Sequence, residues 1–228
     1  MSGKGRGLGI AAVVVGLVGV LLGVGGLVYA RHAYAGSVVS SESMQPTYEP
    51  GDRIVYERVD GSEVRRGDVV LLSAPDRYGP DVLSVQRVIG VGGDHIECCA
   101  NAGSAKERLT VDGKPLAEPY VRDGLAIDPM NRELDVKVPE GRLFLLGDHR
   151  LNARDSRFFP DDHGGTLPVS AIRGRVVDDY SVPVVLGAAM ILGVVLVLAG
   201  IGLGIAAAVV RRRARAAVPP PPPWAVQV

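Results

Sequence analysis

Two long apolar runs bracket the chain, and between them apolar residues come in short bursts broken by turn signals. No charged residue falls within 7–30 or 181–210, and each run exceeds the roughly 20 residues a helix needs to cross a hydrocarbon core. Both are predicted as membrane helices. The middle segment, 31–180, is patterned differently. Its apolar stretches at 54–56, 69–72, 82–91, 109–111, 136–138, 143–146 and 172–177 are short and rich in β-branched residues. Gly-Asp or Asp-Gly pairs at 51–52, 67–68, 93–94, 112–113 and 147–148 punctuate them, as expected for strands joined by tight turns. Asp112-Gly113, between Leu109-Thr110-Val111 and Lys114-Pro115-Leu116, predicts a two-residue hairpin. The expected fold class is mostly β: one β domain between two transmembrane helices, with no internal repeat and no long amphipathic helix.

The first run has a competing reading. Lys4 and Arg6 precede it and Ala33-Tyr34-Ala35 has the small-x-small form of a cleavage site, so it could be a removable secretion signal. Its length favours an anchor, because a secretory apolar core spans only about 7–15 residues. The second run, Gly-rich, could be a buried soluble helix, but no other element is suited to cover it. Charge then orients the chain. Arg211, Arg212, Arg213 and Arg215 follow the second run, whereas all 25 acidic residues lie in 31–180 beside 19 lysines and arginines, an excess of six negative charges. Positive flanks stay in the cytoplasm. The expected layout is a cytoplasmic segment 1–6, a span 7–30, an extracytoplasmic β domain 31–180, a span 181–210 and a basic, proline-rich cytoplasmic tail 211–228, in the plasma membrane.

The proline run at 219–223 predicts an extended polyproline II stub, a linker or tail before a recognition motif. Cys98 and Cys99 are the only cysteines. Neighbouring Cα atoms lie about 3.8 Å apart across a trans peptide, too close for an ordinary bridge. Two free, mostly buried thiols at a strand end are expected, with a strained neighbour-to-neighbour bridge as the alternative. No metal site can be built from this pair alone.

The chemistry concentrates in three short boxes. The first is Ser41-Glu42-Ser43-Met44-Gln45-Pro46-Thr47, followed at once by Gly51-Asp52-Arg53-Ile54-Val55. Acyl transfer needs an exposed nucleophile and donors aimed at the charge that develops on the carbonyl oxygen, each worth about 10²–10³ in rate. Two serines spaced by one residue can supply both. Read without the other boxes, they are ordinary turn hydroxyls and Met44 is core filler. The second box is Gln86-Arg87-Val88-Ile89-Gly90-Val91-Gly92-Gly93-Asp94, and the third Gly147-Asp148-His149-Arg150-Leu151-Asn152-Ala153-Arg154-Asp155-Ser156-Arg157.

Together these boxes resemble those of bacterial signal peptidase I, membrane serine endopeptidases of Ser/Lys dyad type that remove signal peptides from secreted preproteins. The patterns are S-x-S-M-x-P-T with G-D-x-V/I, then K-R-x-x-G-x-x-G-D, then G-D-N-x-x-x-S-x-D-S-R. The likeness covers 37–177. It implies a signal-peptidase-like β domain with Ser43 as nucleophile and Ser41 beside the Ser43 backbone N–H as oxyanion donors. Asp155 and Arg157, with Ser156 between them, would brace the site. An extended peptide would lie beside 38–41 and 83–85, with Val39, Met44 and Val85 lining a pocket for small side chains. Those three read equally as plain core. The implied partners are signal peptides and membrane lipid, with no nucleic acid, cofactor or metal.

The resemblance breaks at two functional positions. Where the family has its base lysine, this chain has Gln86, and where the family serine bonds that lysine, it has Ala153; His149 also replaces the asparagine. A buried lysine can lose its proton and accept another from serine, whereas a carboxamide has no usable basicity. Impaired cleavage is the leading expectation. The alternatives are a silent paralogue that binds signal peptides or partners an active peptidase, a tethered structural β domain, or a substitute base. For the last, His149 and His95 are the candidates, Asp155 being committed to Arg157. Lys4, Lys106, Lys114 and Lys137 all lie outside the boxes.

Overall fold

The structure, a computed structural model, describes residues 3–104, 107–128 and 133–216. The proline run and the side chains of Lys4, Lys106 and Arg215 lie outside the described residues. The chain divides into two compact units, one holding the two terminal segments and the other residues 33–178.

In the first unit, α1 (Gly3–Ala33) and α3 (Ser181–Ala216) are each long and apolar enough to cross a membrane. They pack through glycine. A Cβ on Gly193 would stand 2.6 Å from the Gly23 nitrogen, and one on Gly200 would stand 2.9 Å from the Ala12 oxygen. Small residues permit such close backbone approach, which is how helices associate in an apolar solvent.

The second unit is built from β1 (Tyr34–Val38), β2 (Arg53–Glu57), β3 (Val69–Leu72), β4 (Ser84–Val91), β5 (His95–Ala100), β6 (Arg108–Val111), β7 (Lys114–Pro115), β8 (Asp135–Lys137), β9 (Arg142–Leu146), β10 (Leu167–Pro168) and β11 (Ile172–Val176), with one four-residue helix, α2 (Pro75–Tyr78). A seven-stranded sheet runs β1-β2-β11-β3-β4-β9-β10, and a four-stranded sheet runs β7-β6-β5-β8. Neighbouring strands in both sheets pair antiparallel. β3 reads Val-Val-Leu-Leu and is buried at every position, as a central strand covered on both faces must be. The hairpin at Asp112-Gly113 forms as expected, with Val111 paired to Lys114 and positive φ at both turn residues, 51° and 72°, the geometry of a type I′ turn.

Three apolar clusters make the core. One joins Val70, Leu72, Val88, Leu145 and Ile172, and a second joins Ile89 and Phe144 of the larger sheet to Ile96 and Leu109 of the smaller. The third packs Met44 with Val39, Ile54, Val69, Leu71 and Val176. It anchors the first sequence box, because Met44 has no exposed surface.

One expectation is corrected. Cys98 and Cys99 are joined by a disulfide and are half-buried, not free and buried thiols. Their Cα atoms lie 3.0 Å apart, closer than the about 3.8 Å of neighbours across a trans peptide.

Candidate active site

The first box leaves the end of β1 as a tight loop tied at both ends. Val39 donates its N–H to the Asp52 carbonyl, and Gly51 donates to the Val39 carbonyl. Burial of Met44 pulls this loop onto the third cluster and leaves its neighbours outward. Ser41 and Ser43 consequently face each other across 3.0 Å between their Oγ atoms.

A cleft of about 180 Å³ opens on these hydroxyls. Ser41, Ser43, Val39, Met44 and Val85, named from sequence, line it together, and so does Tyr78, which was not. Its lining comes from 37–41, Ser43 and Met44, from Tyr78 and from 82–85. Val39 and Met44 also belong to the buried core, with Val85 packed against it. The pocket and core readings of these residues therefore describe one surface.

The third box grips the first. His149 donates its backbone N–H to the Ser43 carbonyl at 3.0 Å. A Cβ on Gly147 would stand 2.6 Å from that same carbonyl oxygen and closer still to the Ala153 methyl, so only glycine fits. Asp148, without exposed surface, accepts from the Thr47 hydroxyl and takes two hydrogen bonds from Arg87, at 2.8 and 2.6 Å. Arg87 also lies over the Tyr120 ring, 3.9 Å from its centroid. Burial pulls the Arg87 pKa down, but the hydrogen bonds and charge of Asp148 outweigh it and hold the guanidinium above its ordinary value.

Asp155, Ser156 and Arg157 form a buried knot behind the box. Arg157 donates to both Asp155 oxygens, at 2.8 and 2.7 Å, and Asp155 accepts from the Gly147 N–H at 3.0 Å. The Ser156 hydroxyl accepts from the Leu145 N–H. Gly147 is thereby fixed from β9 and from the loop that follows.

Gln86 sits on β4 opposite Val70 and is 2% exposed. Its amide nitrogen donates to the Tyr78 hydroxyl and to the Arg154 carbonyl, each at 3.0 Å, and its oxygen has no partner. Both amide protons are committed. The histidines weighed as substitutes are turned elsewhere. The His149 ring places Nδ1 3.1 Å from the Glu42 carbonyl, and His95 pairs with Asp135 at 2.6 Å on the smaller sheet. Neither lines the cleft. Tyr78 does, and among the described residues it is the only titratable side chain lining the cleft. Burial raises its pKa above the ordinary value, so the phenol keeps its proton.

A family model described as "Signal peptidase, peptidase S26" matches residues 10–180. The chain belongs to this family. A probable signal peptidase I of Mycobacterium leprae is 29% identical over 221 residues, 73% of this chain and 72% of that protein. Signal peptidase I of Bacillus amyloliquefaciens is 32% identical, covering 53% of this chain and 62% of its own length. Signal peptidase I S of Bacillus subtilis is 33% identical, covering 54% and 66%. A signal peptidase I crystal structure from Enterococcus faecalis superposes with a TM-score of 0.37 at 23% identity, covering 50% of this chain and 97% of that one. Membership in the family, together with two apolar helices, makes this a membrane-associated protein with a signal-peptidase β domain.

Proposed function

We propose that this protein binds signal peptides of secreted preproteins as a signal peptidase I-type membrane serine endopeptidase whose cleavage step is impaired. Ser43 is the nucleophile, and the Ser41 hydroxyl with the Ser43 backbone N–H receives the developing oxyanion. The peptide lies extended between 37–41 and 82–85, where backbone pairing and shallow apolar pockets select small side chains. Asp155, Ser156 and Arg157 brace the loop that carries Gly147.

The observation that carries the impairment is that, among the described residues, no basic side chain lines the cleft. A serine hydroxyl attacks only if a neighbouring group takes its hydrogen. The residue at the base position is an amide with both protons engaged, and the one ionisable cleft residue is a phenol held protonated. Binding and oxyanion donors alone can leave a residual rate of about 10³–10⁴ over the uncatalysed reaction, so turnover is slow rather than absent. The base, not the groove, is what has lapsed.

The two helices cross the plasma membrane, with both termini in the cytoplasm and the β domain outside, following the positive flanks. A neighbouring peptidase that retains the lysine would be the natural active partner. The test of the binding reading is photocrosslinking. A preprotein carrying a photoreactive residue next to its cleavage site labels the 37–44 and 82–85 segments if the groove is used. Absence of labelling there would leave a tethered structural domain.

A further inference from the structure

Tyr78 has no counterpart among the residues named from the sequence boxes, yet the fold fixes it at the cleft with unusual firmness. Its neighbour Arg77 has a 3% exposed side chain that donates to the Gly165 and Thr166 carbonyls, at 2.6 and 2.8 Å, and to the Asp162 carboxylate at 2.7 Å. The Arg77 guanidinium lies 4.7 Å from the Phe159 ring centroid, and Phe159 meets the Tyr78 ring edge-on at 6.0 Å. These contacts lock α2 and leave the phenol little freedom.

The hydroxyl itself is only half used. It accepts from Gln86 Nε2 at 3.0 Å, and among the described residues its own proton has no acceptor. It lines the same cleft as Ser41 and Ser43, whose hydroxyls bond each other at 3.0 Å, and the other side chains lining it are serines and apolar residues. A fixed donor that receives a hydrogen bond from a buried amide and, among the described residues, gives none in return is a site for an acceptor supplied from outside.

We propose that Tyr78 is a substrate-binding residue: its hydroxyl donates a hydrogen bond to an acceptor oxygen of the peptide in the cleft. This rests on the reading of the cleft as a peptide groove. The oxygen is either a backbone carbonyl or the hydroxyl of a small side chain, serine in place of alanine. A tyrosine here would then let the cleft distinguish peptides that alanine-sized pockets alone treat alike.

Binding of fluorescent cleavage-region peptides to the detergent-solubilised full chain tests this by anisotropy, using one peptide with alanine and one with serine at the small-residue positions. Tyr78→Phe keeps the ring and removes the donor. One neutral hydrogen bond corresponds to about threefold to tenfold in affinity. A loss of that size for both peptides identifies a backbone carbonyl, and a loss confined to the serine peptide identifies the side chain. Equal affinities of wild type and variant for both peptides overturn the proposal while leaving the groove intact. If wild type binds neither peptide, the groove reading itself fails and the Tyr78 role with it. Should the variant not fold, wild-type protein is titrated with serine, alanine and reduced-amide peptides. Equal affinity for all three peptides overturns the proposal.

Discussion

The amide nitrogen of Gln86 donates a hydrogen bond to the Tyr78 hydroxyl across 3.0 Å, joining the strand behind the cleft to the short helix that walls it. A second bond from the same nitrogen reaches the Arg154 carbonyl. Gln86 thus acts as a structural crosslink between β4 and the segments that carry Tyr78 and Arg154. Its spare atom is a buried oxygen without a partner, which costs stability of the order of 1–3 kcal/mol. This arrangement is the one expected if, as proposed above, the groove is kept and the base has lapsed.

Gly147→Ala should damage the cleft more than its single added methyl suggests. The methyl would meet the Ser43 carbonyl oxygen at 2.6 Å and press on Ala153, and a backbone atom cannot swing aside. Overpacking of this kind costs about 1–3 kcal/mol. Thermal unfolding should report the loss, and peptide affinity should fall because Ser43 is the atom group displaced. Unchanged affinity would mean that the Gly147 loop moves independently of Ser43.

Glu118→Gln should destabilise the domain. Glu118 pairs with the fully buried Arg150, whose guanidinium also donates to the carbonyls of Gly147 and Ala126. Breaking a buried pair by removing one partner costs about 3 kcal/mol or more, which corresponds to a fall in unfolding midpoint of about 10 °C. A midpoint within a degree of wild type would contradict it.

Acid should expose one further pair. The Asp162 carboxyl is held at about 2, below its ordinary 3.8, first by the hydrogen bond from His163 and then by Arg77. A pKa lowered by folding gives stability that is present above the unfolded value, about pH 4, and is lost as pH falls toward 2. Asp162 is half exposed, so the effect should be under about 1 kcal/mol. Asp162→Asn should therefore lower the unfolding midpoint slightly near neutral pH and match wild type at about pH 2. A difference that persisted in acid would place its origin elsewhere.

Much of this could be read from the sequence where the signal was local. β3, β6 and β9 follow short β-branched or leucine-rich runs, and the 112–113 hairpin follows its turn pair. β1 was not visible, because Tyr-Ala-Gly-Ser-Val directly continues a long apolar helix. β5 was anticipated only as a strand end at Cys98 and Cys99; the rest of His-Ile-Glu-Cys-Cys-Ala has little strand character and is held by its pairing with β6 and β8. In the site, Ser41, Ser43, Val39, Met44 and Val85 meet as expected because the box is a short loop and a nearby strand. Tyr78 was missed for the opposite reason. It lies on a four-residue helix between strands, and its place is set by Phe159 and Arg77 contacts that span more than 80 positions in the chain.

The most direct measurement is release of mature protein from a preprotein by purified, detergent-solubilised wild type and by the Gln86→Lys, Ala153→Ser double variant, with Ser43→Ala reporting contaminating host peptidase. A positioned general base contributes about 10²–10⁴-fold, so the double variant should cleave faster than wild type by at least about 10²-fold, and Ser43→Ala should not cleave. Equal rates for wild type and the double variant, both above the Ser43→Ala background, would show that the native cleft already contains a proton acceptor and would contradict the account.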